Sequence, residues 1–160
     1  FLAPALELGK NVGLMSEAGC PGVADPGADV IRLAHELNLE VIPLVGPSSI
    51  LLALMASGLN GQTFAFQGYL PIKTPERSKR IQQLEQIARR NQQTQIFIET
   101  PYRNDAFLND LLKNLSPDTL LCVASDLTLP TQFIKTKTVL NWKNDSLPDL
   151  NKRPTIFLFL

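Results

Sequence analysis

The strongest constraint on the fold is a pair of loops rich in glycine and proline, each lying between a short apolar run and an apolar helical pattern. Asn11–Met15 (NVGLM) leads into Ser16–Gly27 (SEAGCPGVADPG), and Glu40–Val45 (EVIPLV) leads into Gly46–Ser49 (GPSS). Short apolar runs bounded by turn residues read as strands. Between the two runs, Asp25 is placed to cap a helix with Pro26 in its first turn. Val30, Ile31, Leu33, Ala34 and Leu37 then recur at helical spacing and predict one buried stripe. Ser48 or Ser49 can cap the second apolar helix, SSILLALMAS, which Gly58 ends. Strand, helix, strand, helix predicts a βαβα unit with a parallel sheet and right-handed crossovers. Both loops would then leave strand C-termini at one rim, where open α/β sheets bind ligands.

After Gly61 the pattern changes. Thr63–Leu70 (TFAFQGYL) reads as an extended strand and the following PIKTPE as a linker. Thr74 is expected to cap a helix, with Pro75 at its first position, that runs to about Asn91. Gln95–Glu99 predicts a strand, TPYRN a turn into a helix with an apolar side from Phe107 to Leu115, and Thr119–Ala124, Gln132–Val139 and Thr155–Leu160 three more strands. The expected domain boundary lies near Leu70–Pro75, dividing residues 1–70 from 71–160. Charge divides at the same place: residues 1–71 hold two basic and six acidic side chains, residues 72–160 thirteen and nine. A hydrophobic share of 44% with 19% charged residues argues against a disordered chain. No apolar run reaches the roughly 18 residues of a membrane span. Phe1–Lys10 has neither the basic start and cleavage site of a signal peptide nor an initiator Met, so the chain is expected to begin inside a longer protein. Cys20 and Cys122 lie far apart without metal-ligand spacing, and His35 is the single histidine. These residues predict two free thiols in a reducing cytoplasm, and no metal site.

The loops also carry a resemblance. SEAGCPGVADPG after an apolar run resembles the glycine-proline loop of the tetrapyrrole methylase family, within it most of all the branch that methylates a ribose 2′-oxygen in small-subunit ribosomal RNA. The likeness continues in order through IPLVGPSS, SGL, TFAFQGYLP, IFIETPYR and ASDLT, covering most of residues 11–130. It implies two α/β domains with a ligand cleft between them, an N-terminal domain that is incomplete here, S-adenosylmethionine as cofactor, and a homodimer. Carried over position by position, it implies cofactor contacts at Ala18, Gly19, Cys20 and Val23 in the first loop and at Ser48 and Ser49 in the second. Further contacts fall on Glu99 at a strand end, Leu127 in ASDLT and Thr155 in the final strand. The residue types suit this, since glycine admits close backbone approach and Ser48 can donate at a helix start. The plainer reading of each loop alone is an ordinary turn. Glu17 stands where the RNA branch usually has Asp and Cys20 where it has Thr. Lys152–Thr155 (KRPT) stands where the branch has a Gly-Glu pair, which leaves a tetrapyrrole or other small-molecule acceptor open.

Methylating a hydroxyl profits from a general base. His35 falls on the polar side of its helix and reads as a surface residue. Glu17 and Arg103, each just after a strand end, are the catalytic candidates: Glu17 to orient or deprotonate the acceptor, Arg103 to hold a phosphate. The plainer alternatives are loop capping by Glu17 and an ion pair of Arg103 with Glu99 or Asp105. Between residues 73 and 90, Lys73, Arg77, Lys79, Arg80, Arg89 and Arg90 outnumber Glu76 and Glu85. This predicts either a phosphate-binding face for RNA, with Phe66 and Tyr69 nearby for stacking, or simply a solvated helix side. Trp142 is expected to pack in the core.

Overall fold

The computed structural model describes residues 9–160. The fold divides into two compact units, one ending at Ser48 and the other spanning Ser49–Leu160.

In the first unit the described residues form one helix, α1 (Ala28–Glu36). It starts two residues later than Asp25 and Pro26 suggest, with Gly27 at the N-cap at φ 142° and no side-chain cap. The positive φ of Gly27 favours glycine at this position, whereas a Cβ there would meet only the movable end of the Leu14 side chain, 2.7 Å from Cδ2. Two expectations fail here. Asn11–Met15 and Glu40–Val45 form no strand, so no parallel sheet forms among the described residues of this unit. A strand exists only through a hydrogen-bonded neighbour, and neither segment has one among the described residues. The α1 stripe is likewise unburied: no residue of the helix is buried, and Val30, Leu33 and Leu37 stay exposed. Periodicity marks which face would be buried but does not supply a partner. His35 is exposed, as expected.

The second unit is a sheet with helices on both faces. Its elements are α2 (Ser49–Ser57), β1 (Phe64–Gly68), α3 (Thr74–Asn91), β2 (Thr94–Ile98), a 3₁₀ turn (Pro101–Arg103), α4 (Asn104–Asn114), β3 (Leu120–Ser125), β4 (Phe133–Thr138), α5 (Val139–Asn144) and β5 (Thr155–Phe159). Each expected element from residue 63 onward is present within about two residues, the usual uncertainty of element ends. Thr74 is the first residue of α3 rather than its cap, and Lys73 holds the N-cap position. The strand order is β1-β2-β5-β3-β4, with β1 and β2 parallel and every other pairing antiparallel. The ends of β1, β2 and β3 and the starts of β4 and β5 therefore share one edge. The boundary expected near residue 70 falls inside this unit, between β1 and α3.

Alternation along the strands makes two cores. Phe97, Leu121, Val123, Phe157 and Phe159 face α3, α4 and α5, with Ile81, Leu84, Phe107, Leu111 and Trp142 filling that layer. Ile96, Cys122, Ala124, Ile156 and Leu158 face α2, which contributes Ile50, Ala53 and Leu54. Trp142 is a packing residue, 1% exposed, and its indole N–H donates to the Leu121 carbonyl at 2.8 Å. Both cysteines are free, and burial pushes the Cys122 thiol up from its ordinary value. No helix among the described residues is long and apolar enough to cross a membrane.

Candidate functional site

The two glycine-proline loops of the first unit meet. The Cys20 thiol reaches the Pro47 carbonyl at 3.6 Å, which brings the first loop against the second just before Ser48. The first loop is built from tight turns: Val23 N–H donates to the Cys20 carbonyl at 3.1 Å, and Gly19, Gly22 and Ala24 all have positive φ. Ser16 organises its start, donating through Oγ to the Ala18 carbonyl at 2.8 Å and accepting from the Ala18 N–H at 3.3 Å. Nothing occupies the space where a Gly19 side chain would project. Beside these turns lies an open hollow of about 610 Å³, whose lining includes Leu14, Met15, Glu17, Ala18, Asp25 and Val30. Glu17 is exposed on its wall and enters no ion pair among the described residues, so Ser16, rather than Glu17, caps the loop. Val23 is exposed.

In the second unit, Glu99, Leu127 and Thr155 gather at the shared edge of the sheet, while Ser49 begins α2. Glu99 has a side chain only 2% exposed. Its Oε1 accepts from the Thr100 N–H at 2.7 Å and from Arg103 Nε and Nη2 at 3.1 and 3.0 Å. Arg103 also lies over the Tyr102 ring, 5.1 Å from its centroid. Of the alternatives open for Arg103, the ion pair with Glu99 is the one formed. A guanidinium held this way steadies a buried carboxylate, since an unpaired buried charge is costly.

Two residues that sequence reasoning passed over shape this edge. Asp126 Oδ2 accepts from Arg153 Nε at 2.7 Å and from Thr131 Oγ1 at 2.9 Å, and Arg153 Nη2 donates to the Thr131 carbonyl at 2.6 Å. The Arg153 hydrogen bond holds the Asp126 carboxyl below the usual carboxylate range. Around Leu127 the backbone is strained, with Asp126 at φ 50° and Thr128 at φ 71°. Non-glycine residues take such values only where surrounding contacts impose them. The Arg153 clamp and the Asp126 N–H bond to the Pro154 carbonyl (2.9 Å) are those contacts. Thr155 Oγ1 donates within the same knot, to the Arg153 carbonyl at 2.9 Å. The only signal for Asp126 in the sequence was a carboxylate directly after a strand. Arg153 had none, because its partner is 27 residues away.

The basic stretch sorts into buried and exposed members. Arg77 is buried, bonded through Nη1 to Asp110 (2.8 Å) and through Nε and Nη2 to the Pro71 and Ile72 carbonyls (2.8 and 2.7 Å). As a phosphate ligand it must be withdrawn, because all three guanidinium nitrogens are engaged inside the fold. Arg89 pairs with Asp118 at 2.7 Å, which raises its pKa further. Lys73, Lys79, Arg80 and Arg90 have no carboxylate partner among the described residues. No cluster of three or more metal-ligating side chains occurs among the described residues.

Known proteins are similar to this chain in sequence and in fold. The chain is 39% identical over 127 residues to a protein of Synechocystis named Ribosomal RNA small subunit methyltransferase I, covering 79% of this chain and 44% of that one. Proteins with the same name from Haemophilus influenzae (33% over 152 residues, 95% and 52% coverage) and Bacillus subtilis (34% over 143 residues, 88% and 47%) are similar to it as well. The chain spans about half the length of these curated relatives. In fold it resembles the methyltransferase CobJ, at a TM-score of 0.63 and 19% identity, over 98% of this chain and 66% of that one. The model of the family described as Tetrapyrrole (Corrin/Porphyrin) Methylases matches residues 1–141. With the match extending over so much of its length, the chain belongs to the tetrapyrrole methylase family.

Proposed function

We propose that the protein is an S-adenosylmethionine-dependent methyltransferase acting on a ribose 2′-hydroxyl of small-subunit ribosomal RNA. The carrying observation is the 33–39% identity to proteins named for that RNA, over 79–95% of this chain. In this reading the five-stranded sheet, β1 included, belongs to a C-terminal α/β domain and the residues ahead of it to an N-terminal one, with the cofactor between them. The protein works as a cytoplasmic homodimer, and RNA contacts the exposed basic residues of α3, among them Lys73, Lys79 and Arg80.

The hollow beside the first loop fits the cofactor in chemical character: Leu14 and Val30 offer apolar surface to a ring, while exposed carboxylates suit hydroxyl and ammonium groups. Ala18, Gly19, Cys20, Val23, Ser48 and Ser49 would hold it from the two loops, joined by Glu99, Leu127 and Thr155. When bound, the cofactor supplies an electrophilic methyl group on a sulfonium. The chain's own contribution is orientation and exclusion of water. Glu17, a free carboxylate on the wall of the hollow, accepts the hydroxyl proton as the acceptor oxygen is methylated. Arg103, tied to Glu99, keeps the edge of β2 rigid.

Methyl transfer from labelled cofactor to small ribosomal subunits tests this. Glu17→Gln is expected to lower kcat by about 10²-fold, within the range for a lost general base, with cofactor affinity retained; an unchanged kcat removes Glu17 from the chemistry. One observation favours a small-molecule acceptor, namely Lys152–Thr155 at the head of β5 in place of the RNA branch's Gly-Glu pair. Labelling of a tetrapyrrole and not of ribosomal RNA in the same assay would replace the first reading with this one.

A further inference from the structure

Four of the six basic residues around α3 have no carboxylate partner among the described residues, and two of these bound a groove. Arg80, Gln83, Ile87 and Arg90 follow one another at i, i+3, i+7 and i+10, which aligns them along one side of the helix. With Gln86 they line an open groove of about 440 Å³. Its floor is the half-exposed side chain of Ile87, its walls are two amides, and a guanidinium stands at each end. No acid lies in the lining. Glu85, the nearest acid in sequence, turns inward to Ser116 N–H (2.8 Å), Ser116 Oγ (3.1 Å) and the Thr119 hydroxyl.

Arg80 is also held in place from behind. The β1–β2 register slips between Phe66 and Gly68, at Gln67. Gln67 Oε1 accepts from Arg80 Nη2 at 3.2 Å, Gln67 Nε2 donates to Gln95 Oε1 at 2.8 Å, and Gln95 Nε2 donates to Gln93. Gln95 is fully buried. Amides placed in an otherwise apolar sheet need every partner satisfied. This chain of three does so and fixes a surface guanidinium that would otherwise sweep freely. Pre-ordering reduces the entropy lost when that group binds.

We infer that this groove is a docking track for a single-stranded segment of RNA, an assignment that rests on the RNA-methyltransferase reading above and adds the surface on which the substrate lies. The two guanidinium groups take phosphates, Gln83 and Gln86 meet base edges, and a base face rests on Ile87. From Arg80 to Arg90 the helix rises about 15 Å, roughly four nucleotides of a stacked strand at about 3.4 Å each. Lys79, exposed on the same helix, adds long-range attraction. An acidic protein surface would also seek cations, but it has no use for an apolar floor flanked by two amides.

The test measures binding of a labelled single-stranded RNA oligonucleotide to the protein by fluorescence anisotropy across a potassium chloride series. Arg80→Gln with Arg90→Gln should weaken binding at least tenfold. The slope of log affinity against log salt should fall by about 1.4, at roughly 0.7 per phosphate contact. Lys135→Gln with Lys143→Gln, two exposed cations elsewhere in the second unit, should leave both quantities unchanged, and matching thermal melts should show every variant folded. Undiminished affinity in the arginine pair, or an equal loss in the lysine pair, overturns the track while the wild type still binds and methylates RNA. Poly-glutamate displacing the RNA as well as unlabelled RNA does would overturn it in favour of a protein partner. A wild type with no affinity for RNA at any salt overturns both this inference and the reading beneath it.

Discussion

At the scale of single residues, the functional edge of the sheet is organised by pairs that no local pattern announces. Arg153 bridges Asp126 and the Thr131 carbonyl and thereby fixes the strained turn that carries Leu127. Because the Asp126 carboxyl is held below the usual range in the folded protein, its contribution to stability is fully present above the unfolded carboxylate value, about 3.9. It is lost as pH falls from there through the lowered folded value. Melting temperature followed from pH 6 to pH 2 should decline below about pH 4, and Asp126→Asn should start lower and show less of that decline. Parallel curves for the two proteins would remove Asp126 from the acid response. Arg103 illustrates the same principle at the next strand end: its place after β2 was legible, but its engagement with Glu99 depends on a 3₁₀ turn that folds the two together.

At the scale of elements, α3 shows how a helix can be read correctly while its charges are not. Its span, Thr74–Asn91, follows from Pro75 and from the spacing of Ile81, Leu84 and Ala88. Six cations in or beside that span look alike in sequence, yet Arg77 is buried, Arg89 is ion-paired at the surface and the other four have no carboxylate partner among the described residues. Helical geometry separates them only once the buried face is known, since Arg77 lies on the same side as Ile81, Leu84 and Ala88. Arg77→Ala would leave Asp110 and two carbonyls without their donor. It should lower the unfolding free energy in urea by about 3 kcal/mol and leave the salt dependence of RNA binding unaltered. A loss below about 0.5 kcal/mol, typical of exposed pairs, would show that the arginine is not buried as described.

At the scale of the whole molecule, the two units differ in how their apolar residues are used. Ser49–Leu160 buries both faces of a five-stranded sheet, whereas residues 9–48 leave Val12, Met15, Leu33, Ile42, Leu44 and Val45 exposed and bury nothing along α1. Regions with few buried contacts open at low cost. Limited proteolysis of this chain should cut within residues 9–48 well before any site inside 64–159. Simultaneous cleavage of both regions would contradict the difference.

Apolar periodicity, proline and glycine were enough to locate the strands and the two longer helices from residue 63 onward, though not α5, and the ordered loop motifs were enough to place the chain in its family, because both are local properties of the chain. Pairing is not local. Whether NVGLM and EVIPLV become strands depends on a neighbour to hydrogen-bond with. Whether Arg77 meets RNA or Asp110 depends on which face of α3 the sheet covers. The mixed sheet order, the meeting of Cys20 with Pro47, and the Asp126–Arg153 clamp were settled only when distant segments packed together, because each of these contacts joins groups that the sequence keeps far apart.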